Sequence, residues 1–330
     1  MSERRARAEL VNRIAVCLLF SAIAGFVAFW AQHFHRAQGG DHLILWQSAR
    51  TVLEGGTPYQ DDPNTFKRLF YPLPAVLFGL PFVWLSPENA AVAFITCSAA
   101  VLGFAITRDG FARVSIVFSI CFLSAAQLAQ TSILLLGFAL IPMLRGLLVL
   151  KPNIGLALFA WRPSLRAALL AAGILLLSFL VLPSWPAHWL AVSRDFPAHH
   201  SPMRTGVGAC GLLGLLRWRR PEARLLVAMT VIPHGLYFYD DLPLWLVAAT
   251  SRESIILSAC SWLGWFGWLA TTDGTSTAIA PWLAAALYVP CTIMVLRRPN
   301  SAAGSADTER VPQANADERT LRDSIGSAGP

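Results

Sequence analysis

The stretch I-A-V-C-L-L-F-S-A-I-A-G-F-V-A-F-W-A, residues 14–31, decides the fold of this chain. A helix of these 18 residues measures about 27 Å, close to the ~30 Å thickness of a bilayer's hydrocarbon core. Four arginines within residues 4–13 precede it, so the positive-inside rule predicts a cytoplasmic N-terminus. A cleaved signal peptide is the competing interpretation. Phe29 and Trp30 stand where a peptidase needs small residues, which favours a retained helix.

The rest of the chain has the same character. Of its 330 residues, 55% are hydrophobic and 14% are charged, against about 25% charged in ordinary soluble proteins. This balance excludes a single soluble domain, a nucleic-acid-binding module and a disordered chain. The net charge is +7, but the basic residues stand at the ends of apolar runs, where they set topology. We therefore expect the lipid bilayer as a partner, and no nucleic acid.

Eleven more apolar runs predict an all-α, polytopic transmembrane protein with about ten to twelve spans. Several runs are shorter than the ~17 residues that a straight crossing needs, which indicates broken or half-inserted helices. The runs lie at 72–85, 90–107, 113–128, 131–144, 147–161, 167–183, 206–216, 223–236, 242–251, 254–270 and 279–296.

Arginine positions predict the topology and the domain limits. Arginines at 162–166, 217–220 and 297–298 mark cytoplasmic ends, so both termini are expected in the cytoplasm. Arg108 and Arg113 would lie outside, against the rule. Residues 1–298 form one transmembrane domain in this interpretation. Residues 299–330 have almost no large apolar side chain and are expected to be a disordered cytoplasmic tail.

The polar stretch 32–69 is expected to be an extracytoplasmic loop. Within it, residues 43–54 have the apolar spacing of a helix lying on the membrane surface. Asp41 stands just before that helix, behind two glycines. A carboxylate at this place can act as a general base towards a hydroxyl, and Asp is also a common N-cap. Both interpretations stay open from position alone.

Two further polar features interrupt apolar sequence. Lys151, one of only two lysines in the chain, lies between apolar runs and before Pro152. A lysine there suggests a function such as holding a phosphate, although a snorkelling interface lysine explains it equally well. The segment 233–243 reads P-H-G-L-Y-F-Y-D-D-L-P. It indicates either a polar cavity lining or an interfacial turn between spans.

Cysteine and histidine positions predict no metal site. The six cysteines are scattered through apolar segments without a CxxC pair, which is typical of small buried hydrophobes. His199 and His200 have no third ligand at zinc spacing, so we expect a solvated loop there.

Taken in order, these features resemble glycosyltransferase family 87, the polyprenol-phosphate-mannose-dependent mannosyltransferases with the GT-C membrane fold. The similarity runs from Asp41 to about residue 290. It rests on an ordered series of short motifs, with the glutamine motif lacking the family's glycine and asparagine. The motifs are Asp41 leading to G-G-T-P-Y at 55–59, L-F-Y-P-L-P at 69–74, A-Q-T-S at 129–132, K-P at 151–152 and P-H with Y-D at 233–240.

The resemblance implies an integral cell-membrane hexosyltransferase with an extracytoplasmic active site. It would move a hexose, most simply mannose, from a polyprenyl-phosphate donor to a glycolipid or polysaccharide acceptor with inversion. Asp41 would be the catalytic base, and no metal or cofactor is expected. The donor-binding residues would be His234, Lys151, Tyr71, Tyr239, Asp240 and Gln130.

Two other functions are compatible with the sequence. A transporter or lipid flippase would place opposite charges against each other at mid-membrane and would show duplicated halves. A non-catalytic relative acting as a membrane assembly partner would fit the altered glutamine motif.

Overall fold

The computed structural model describes residues 3–35, 40–60, 69–194, 199–235, 237–271 and 278–299. The described part is mostly helical, as predicted. The predicted tail, apart from its first residue, lies outside the described residues. The α-helices are α1 (Glu3–His33), α2 (Gly40–Leu53), α3 (Pro87–Ile106), α4 (Ile120–Gln127), α5 (Ser132–Leu140), α6 (Pro152–Trp161), α7 (Leu165–Val181), α8 (Trp185–Arg194), α9 (Pro221–Val231), α10 (Ser251–Thr271), α11 (Ile279–Leu283) and α12 (Val289–Leu296).

Tighter helical segments and one small strand pair join these helices. The strands β1 (His199–His200) and β2 (His234–Gly235) are antiparallel, and a π-helical turn, Ala284–Tyr288, joins α11 to α12. The 3-10 helices are Leu73–Phe78, Leu80–Phe82, Val114–Phe118, Pro142–Leu150, Pro202–Thr205, Val207–Arg217 and Phe238–Leu246.

By length and composition, four helical segments of the described chain can cross a membrane. They are α1, α3, α10 and the continuous stretch Ile279–Leu296. The α4–α5 pair, bent by 120°, and the α7–α8 pair, bent by 101°, raise the number to six if each counts as one span. The multi-pass character is confirmed. The number is smaller than the ten to twelve spans that we expected from apolar runs.

The difference arises because several apolar runs are too short to cross and are buried by protein. The runs at 147–161 and 242–251 fall on helical segments of nine or ten residues, Pro142–Leu150, α6 and Phe238–Leu246. Proline, which lacks an N–H group, stands in all three, and Gly155 packs onto the Leu148 carbonyl. Hydropathy alone does not distinguish a side chain that faces lipid from one buried against another helix.

The first and second long helices run antiparallel. The Arg13 guanidinium at the N-terminal end of α1 donates to the Phe104 carbonyl near the end of α3, 3.5 Å away. Arg108, which follows α3, therefore lies at the same end of the molecule as the N-terminus. The expectation that Arg108 lies on the opposite side from the N-terminus is wrong, because the antiparallel packing of α1 and α3 brings the end of α3 beside Arg13.

Arg113 lies at this end as well. Its Nε donates to the Ala248 carbonyl at 2.8 Å, and Arg298 donates to the neighbouring Val247 carbonyl at 2.7 Å. Arg113 and Arg298 thus cap the same stretch of backbone, which corrects the expectation that Arg113 lies outside. Arg224 and Arg217 bind carbonyls at the ends of α6 and α12 in the same way. We call the surface formed by these four arginines the arginine face.

Two short helices, α6 and α9, connect the arginine face to Lys151 and His234. Helix α6 has ten residues and begins directly after Lys151, while α9 has eleven and leads from Arg220 to His234. Ten helical residues measure about 15 Å, half of a hydrocarbon thickness. Lys151 and His234 are therefore each about 15 Å of helix away from the arginine face.

Candidate active site

Asp41 is held at the start of α2 by the chain break between α4 and α5. Its backbone N–H donates to the Leu128 carbonyl at 3.1 Å. Gly40 has φ +54°, and a Cβ added there would lie 2.1 Å from the Leu128 oxygen. Only glycine fits this close approach. The sequence Gly-Asp therefore places the carboxylate at a defined position, next to the predicted glutamine motif.

The Asp41 side chain faces Tyr71 and does not cap its helix. The Tyr71 hydroxyl donates to Asp41 Oδ2 at 3.3 Å. Within the described ranges, no N–H of α2 donates to this half-buried carboxylate. The geometry therefore does not support the N-cap interpretation. Asp41 keeps one carboxylate oxygen, Oδ1, outside this contact.

Tyr71 is fixed from several sides. Its carbonyl accepts from the Tyr59 hydroxyl at 3.1 Å, and the carbonyl of Phe70 accepts from Trp189 Nε1 at 3.1 Å. Burial raises the pKa of Tyr71 well above its ordinary value, and the charge of Asp41 raises it further. The hydroxyl therefore stays protonated and is a hydrogen-bond donor to Asp41.

Lys151 and Asp240 form a buried ion pair. Lys151 Nζ lies 2.9 Å from Asp240 Oδ1, and each side chain is 3% exposed. Asp240 Oδ2 also accepts from the Gly235 N–H at 3.2 Å. Lys151 Nζ stands 5.8 Å from the centre of the Tyr71 ring and 5.9 Å from that of Tyr239, within cation–π range. Lys151 is thus surrounded by protein and does not snorkel to an interface.

His234 belongs to a second buried network. Its Nδ1 lies 2.8 Å from the Ile232 carbonyl, which makes Nδ1 a donor. Its Nε2 lies 3.5 Å from Asp241 Oδ1, and the Tyr288 hydroxyl donates to that same oxygen at 2.7 Å. Burial alone would lower the pKa of His234, but the hydrogen bond to Asp241 and its charge raise it above the ordinary value.

The burial of His234 bears on its predicted role. It is 1% exposed, and both ring nitrogens face groups of the protein. A direct contact with a donor phosphate therefore stays a prediction, and it requires this network to open. The backbone of His234 pairs with that of His200, so His200 lies in a strand and not in the solvated loop that we expected.

Gln130 lies at the sharp break between α4 and α5. Ala129 has φ +49°, which is unusual for a residue with a side chain, and the Gln130 N–H returns to the Ala125 carbonyl at 2.8 Å. Gln130 Oε1, Thr131 Oγ1 and Ser132 Oγ are buried and have no hydrogen-bond partner among the described residues. The break thus presents three unsatisfied polar atoms next to the Leu128 carbonyl that holds Asp41.

Five of the seven predicted site residues form one chain of contacts, which we call the tyrosine–carboxylate site. Gln130 joins this site through the backbone next to Leu128, and His234 joins it through Gly235. The five residues are Asp41, Tyr71, Lys151, Tyr239 and Asp240.

Sequence reasoning gave Tyr59 no site role, although it ends the G-G-T-P-Y motif, and missed Tyr288. The chain has only five tyrosines, and all of them contact this region: Tyr59 through the Tyr71 carbonyl, Tyr237 through the Tyr239 ring at 5.1 Å, and Tyr288 through Asp241. The scarcity of tyrosine was a signal that could have found both residues.

Comparisons of the chain with family models, curated proteins and solved structures find no match. In the part of the chain that the structure describes, no three His, Cys, Asp or Glu side chains come together as a metal-binding group. The function must therefore be argued from the site itself.

Proposed function

We propose that this protein is an integral membrane glycosyltransferase that moves a hexose, most simply mannose, from a polyprenyl-phosphate donor to a glycolipid or polysaccharide acceptor. One observation carries the proposal. Tyr71 lies between a half-buried carboxylate, that of Asp41, and a buried ammonium, that of Lys151. A proton acceptor at the hydroxyl and a cation near the ring, suited to a phosphate, are thus both next to one tyrosine.

In the proposed reaction, Asp41 is the general base. It takes the proton of an acceptor hydroxyl while that oxygen attacks C1 of the donor sugar from the face opposite the phosphate. The bond between C1 and the phosphate oxygen breaks, and polyprenyl phosphate leaves with the electron pair. The Tyr71 hydroxyl, which donates to Asp41 Oδ2, orients the carboxylate and leaves Oδ1 for the acceptor proton.

The leaving group needs a positive charge more than a proton, because a phosphate monoester is already an anion at neutral pH. In the proposal Lys151 supplies that charge, exchanging part of its contact with Asp240 for the phosphate. Asp240 keeps its other oxygen on the Gly235 N–H. It thereby holds the lysine in place between turnovers. His234 is a positioning residue here, acting through Asp241 and the 235–241 segment.

An apolar groove beside Tyr71 supports a lipid-linked donor. It measures about 250 Å³ and is lined by the start of the Leu73–Phe78 helix and by α7. Leu73 and Pro74, two and three residues after Tyr71, form its near wall, while Ile174 and Leu177 form the far wall. A prenyl chain in this groove would have its phosphate end towards the tyrosine–carboxylate site.

A transporter is the second candidate, and a specific observation favours it. Lys151 and Asp240 form a buried ion pair, and the broken α4–α5 pair packs against the Phe238–Leu246 helix that contains Asp240. Discontinuous helices and buried charges are typical of transporter binding sites. A transporter would move its substrate without changing it chemically.

The deciding experiment uses the purified protein in proteoliposomes with radiolabelled polyprenyl-phosphate-mannose and a mixed extract of host glycolipids. The proposal predicts that label leaves the donor and appears covalently on an acceptor. Label that crosses the vesicle membrane on an intact donor would establish the transporter instead. Absence of transfer with this donor and with a panel of other polyprenyl-phosphate sugars would contradict the transferase.

A further inference from the structure

A second apolar groove lies on the side of the molecule that carries the arginine face. It is formed by the Pro142–Leu150 helix, α6 and α7, and it measures about 330 Å³. Its floor is made by small residues of α7, since Ala167, Ala168, Ala171 and Ala172 stand where larger side chains would fill it. Arg145 is the one charged residue among those that line the groove.

A second arginine stands beside Arg145. Both guanidinium groups lie over the Trp161 ring, Arg162 at 4.4 Å and Arg145 at 6.0 Å from its centre. Arg145 Nε donates to the Ala139 carbonyl at 2.8 Å, which leaves its two terminal nitrogens for another acceptor. Arg162 is exposed at the end of α6. Two positive charges thus lie over one tryptophan ring, and one of them, Arg145, lines the groove.

Two arginines at this end of the molecule have acidic partners. Arg298 pairs with Glu253, and Arg220 pairs with Glu222 at 3.5 Å. In the described ranges, neither Arg145 nor Arg162 forms an ion pair with a carboxylate. The positive charge of these two arginines is therefore uncompensated, and the complementary ligand is an anion attached to an apolar chain.

We propose that this groove binds one anionic phospholipid, with its phosphate between Arg145 and Arg162 and an acyl chain along α7. The surroundings fit a lipid, because Leu169, Leu176 and Leu180 on the outer side of α7 are exposed apolar residues. Basic pockets between transmembrane helices, close to the basic side of the protein, are suited to such headgroups. The proposal is independent of the proposed sugar transfer.

A lipid in this groove would also affect the tyrosine–carboxylate site, because the groove adjoins Lys151. Two of its walls meet at Lys151, which lies between Leu150 at the end of one wall and Pro152 at the start of the other. A bound lipid would pack against both segments. It would therefore stabilise the backbone that holds Lys151 opposite Asp240.

The test is native mass spectrometry of the purified full-length protein, delipidated and then supplied with phosphatidylglycerol or phosphatidylcholine. We expect the wild type to retain one phosphatidylglycerol and to prefer it to phosphatidylcholine. The double variant Arg145→Gln/Arg162→Gln should lose about 30-fold in apparent affinity, since each basic residue near a membrane surface contributes about 1 kcal/mol. Arg219→Gln/Arg252→Gln removes the same charge elsewhere and should bind like the wild type.

Three further arms keep the proposal falsifiable. Arg162→Gln alone, at an exposed position, should reduce binding about fivefold without affecting the fold. Ala171→Phe fills the groove without changing the charge and should also weaken retention. Inorganic phosphate at millimolar concentration should not displace the lipid. Equal retention of the two lipids, equal loss in both double variants, or full displacement by phosphate would overturn the proposal.

Discussion

The arginine face and the tyrosine–carboxylate site both contain charged groups away from bulk water, but they neutralise them differently. On the arginine face, all four guanidinium groups bind backbone carbonyls, as Arg113 binds that of Ala248 and Arg224 those of Ala160 and Trp161, and only Arg298 also pairs with a carboxylate, that of Glu253, among the described residues. In the site, side chains neutralise side chains, as Lys151 does with Asp240.

The difference separates structure from chemistry. Carbonyls at helix ends lack intrahelical partners, and binding them is a sufficient structural role for these arginines. A buried lysine–carboxylate pair satisfies no helix end, and apolar residues of similar volume often stabilise a fold as well or better. The arginines are therefore interpreted as structural, and the buried pair as kept for a function.

Replacing Asp41 by Asn is expected to have the largest effect. General-base catalysis contributes about 10²- to 10⁴-fold to a rate, so sugar transfer should fall by about that factor while the protein accumulates normally. Transfer per folded molecule is the measurement. Glu54 is an exposed acid directly after the C-terminal end of α2. Glu54→Gln is therefore the matched control and should transfer like the wild type. Equal loss of folded protein and of transfer would show that Asp41 is structural.

Lys151→Met should destabilise the fold. It leaves the Asp240 carboxylate buried without its cation, which costs about 3–5 kcal/mol. The free energy of unfolding in mixed micelles is the measurement. Arg252→Met, at an exposed position, serves as the control and should change it little. A Lys151→Met protein as stable as the wild type would mean that the pair is not buried as described.

Arg113→Gln should lower the free energy of unfolding less than Lys151→Met does, and it should leave sugar transfer unchanged. It weakens one charged hydrogen bond, to the Ala248 carbonyl, a loss of about 1.5–3 kcal/mol. Transfer per folded molecule should be unchanged, because Arg113 lies on the arginine face. A variant that folds normally but transfers slowly would contradict the division between the two regions.

Tyr71→Phe should have the smallest effect of the series. It removes a hydrogen bond of 3.3 Å to Asp41 and keeps the ring beside Lys151. A loss of about 1 kcal/mol corresponds to roughly a fivefold slower transfer, with little change in stability. Tyr237→Phe, whose ring contacts Tyr239 without reaching Asp41, is the control. A larger loss of transfer in Tyr237→Phe than in Tyr71→Phe would contradict the assignment of Asp41 as the base.

Local signals in the sequence predicted much of the site. Lys151 and the 233–243 segment were singled out because each interrupts apolar sequence, where polar residues are costly, and Asp41 because it stands just before the predicted surface helix. The ion pair itself was not predictable, since 89 positions separate Lys151 from Asp240 and nothing local relates them. Tyr288 lies within an apolar run, where its hydroxyl gave no signal until the Asp241 carboxylate was placed beside it.

The number of spans was predicted less well, for a related reason. Hydropathy reports that the 242–251 run is apolar, yet Trp245 and Leu244 are buried entirely by protein. The prediction of the side on which Arg113 lies was wrong because it used only local charge. A charge-counting rule assigns a side to a loop, but the carbonyl that this guanidinium binds comes from a segment 135 positions away.

The double variant Lys151→Met/Asp240→Asn tests the central claim most directly. Both charges are gone, and the asparagine oxygen can still accept from the Gly235 N–H. If the pair serves function, the free energy of unfolding should return to within about 1 kcal/mol of the wild type, while sugar transfer stays lost. Recovery of transfer together with stability would contradict the account, because it would show that the pair only holds the fold together.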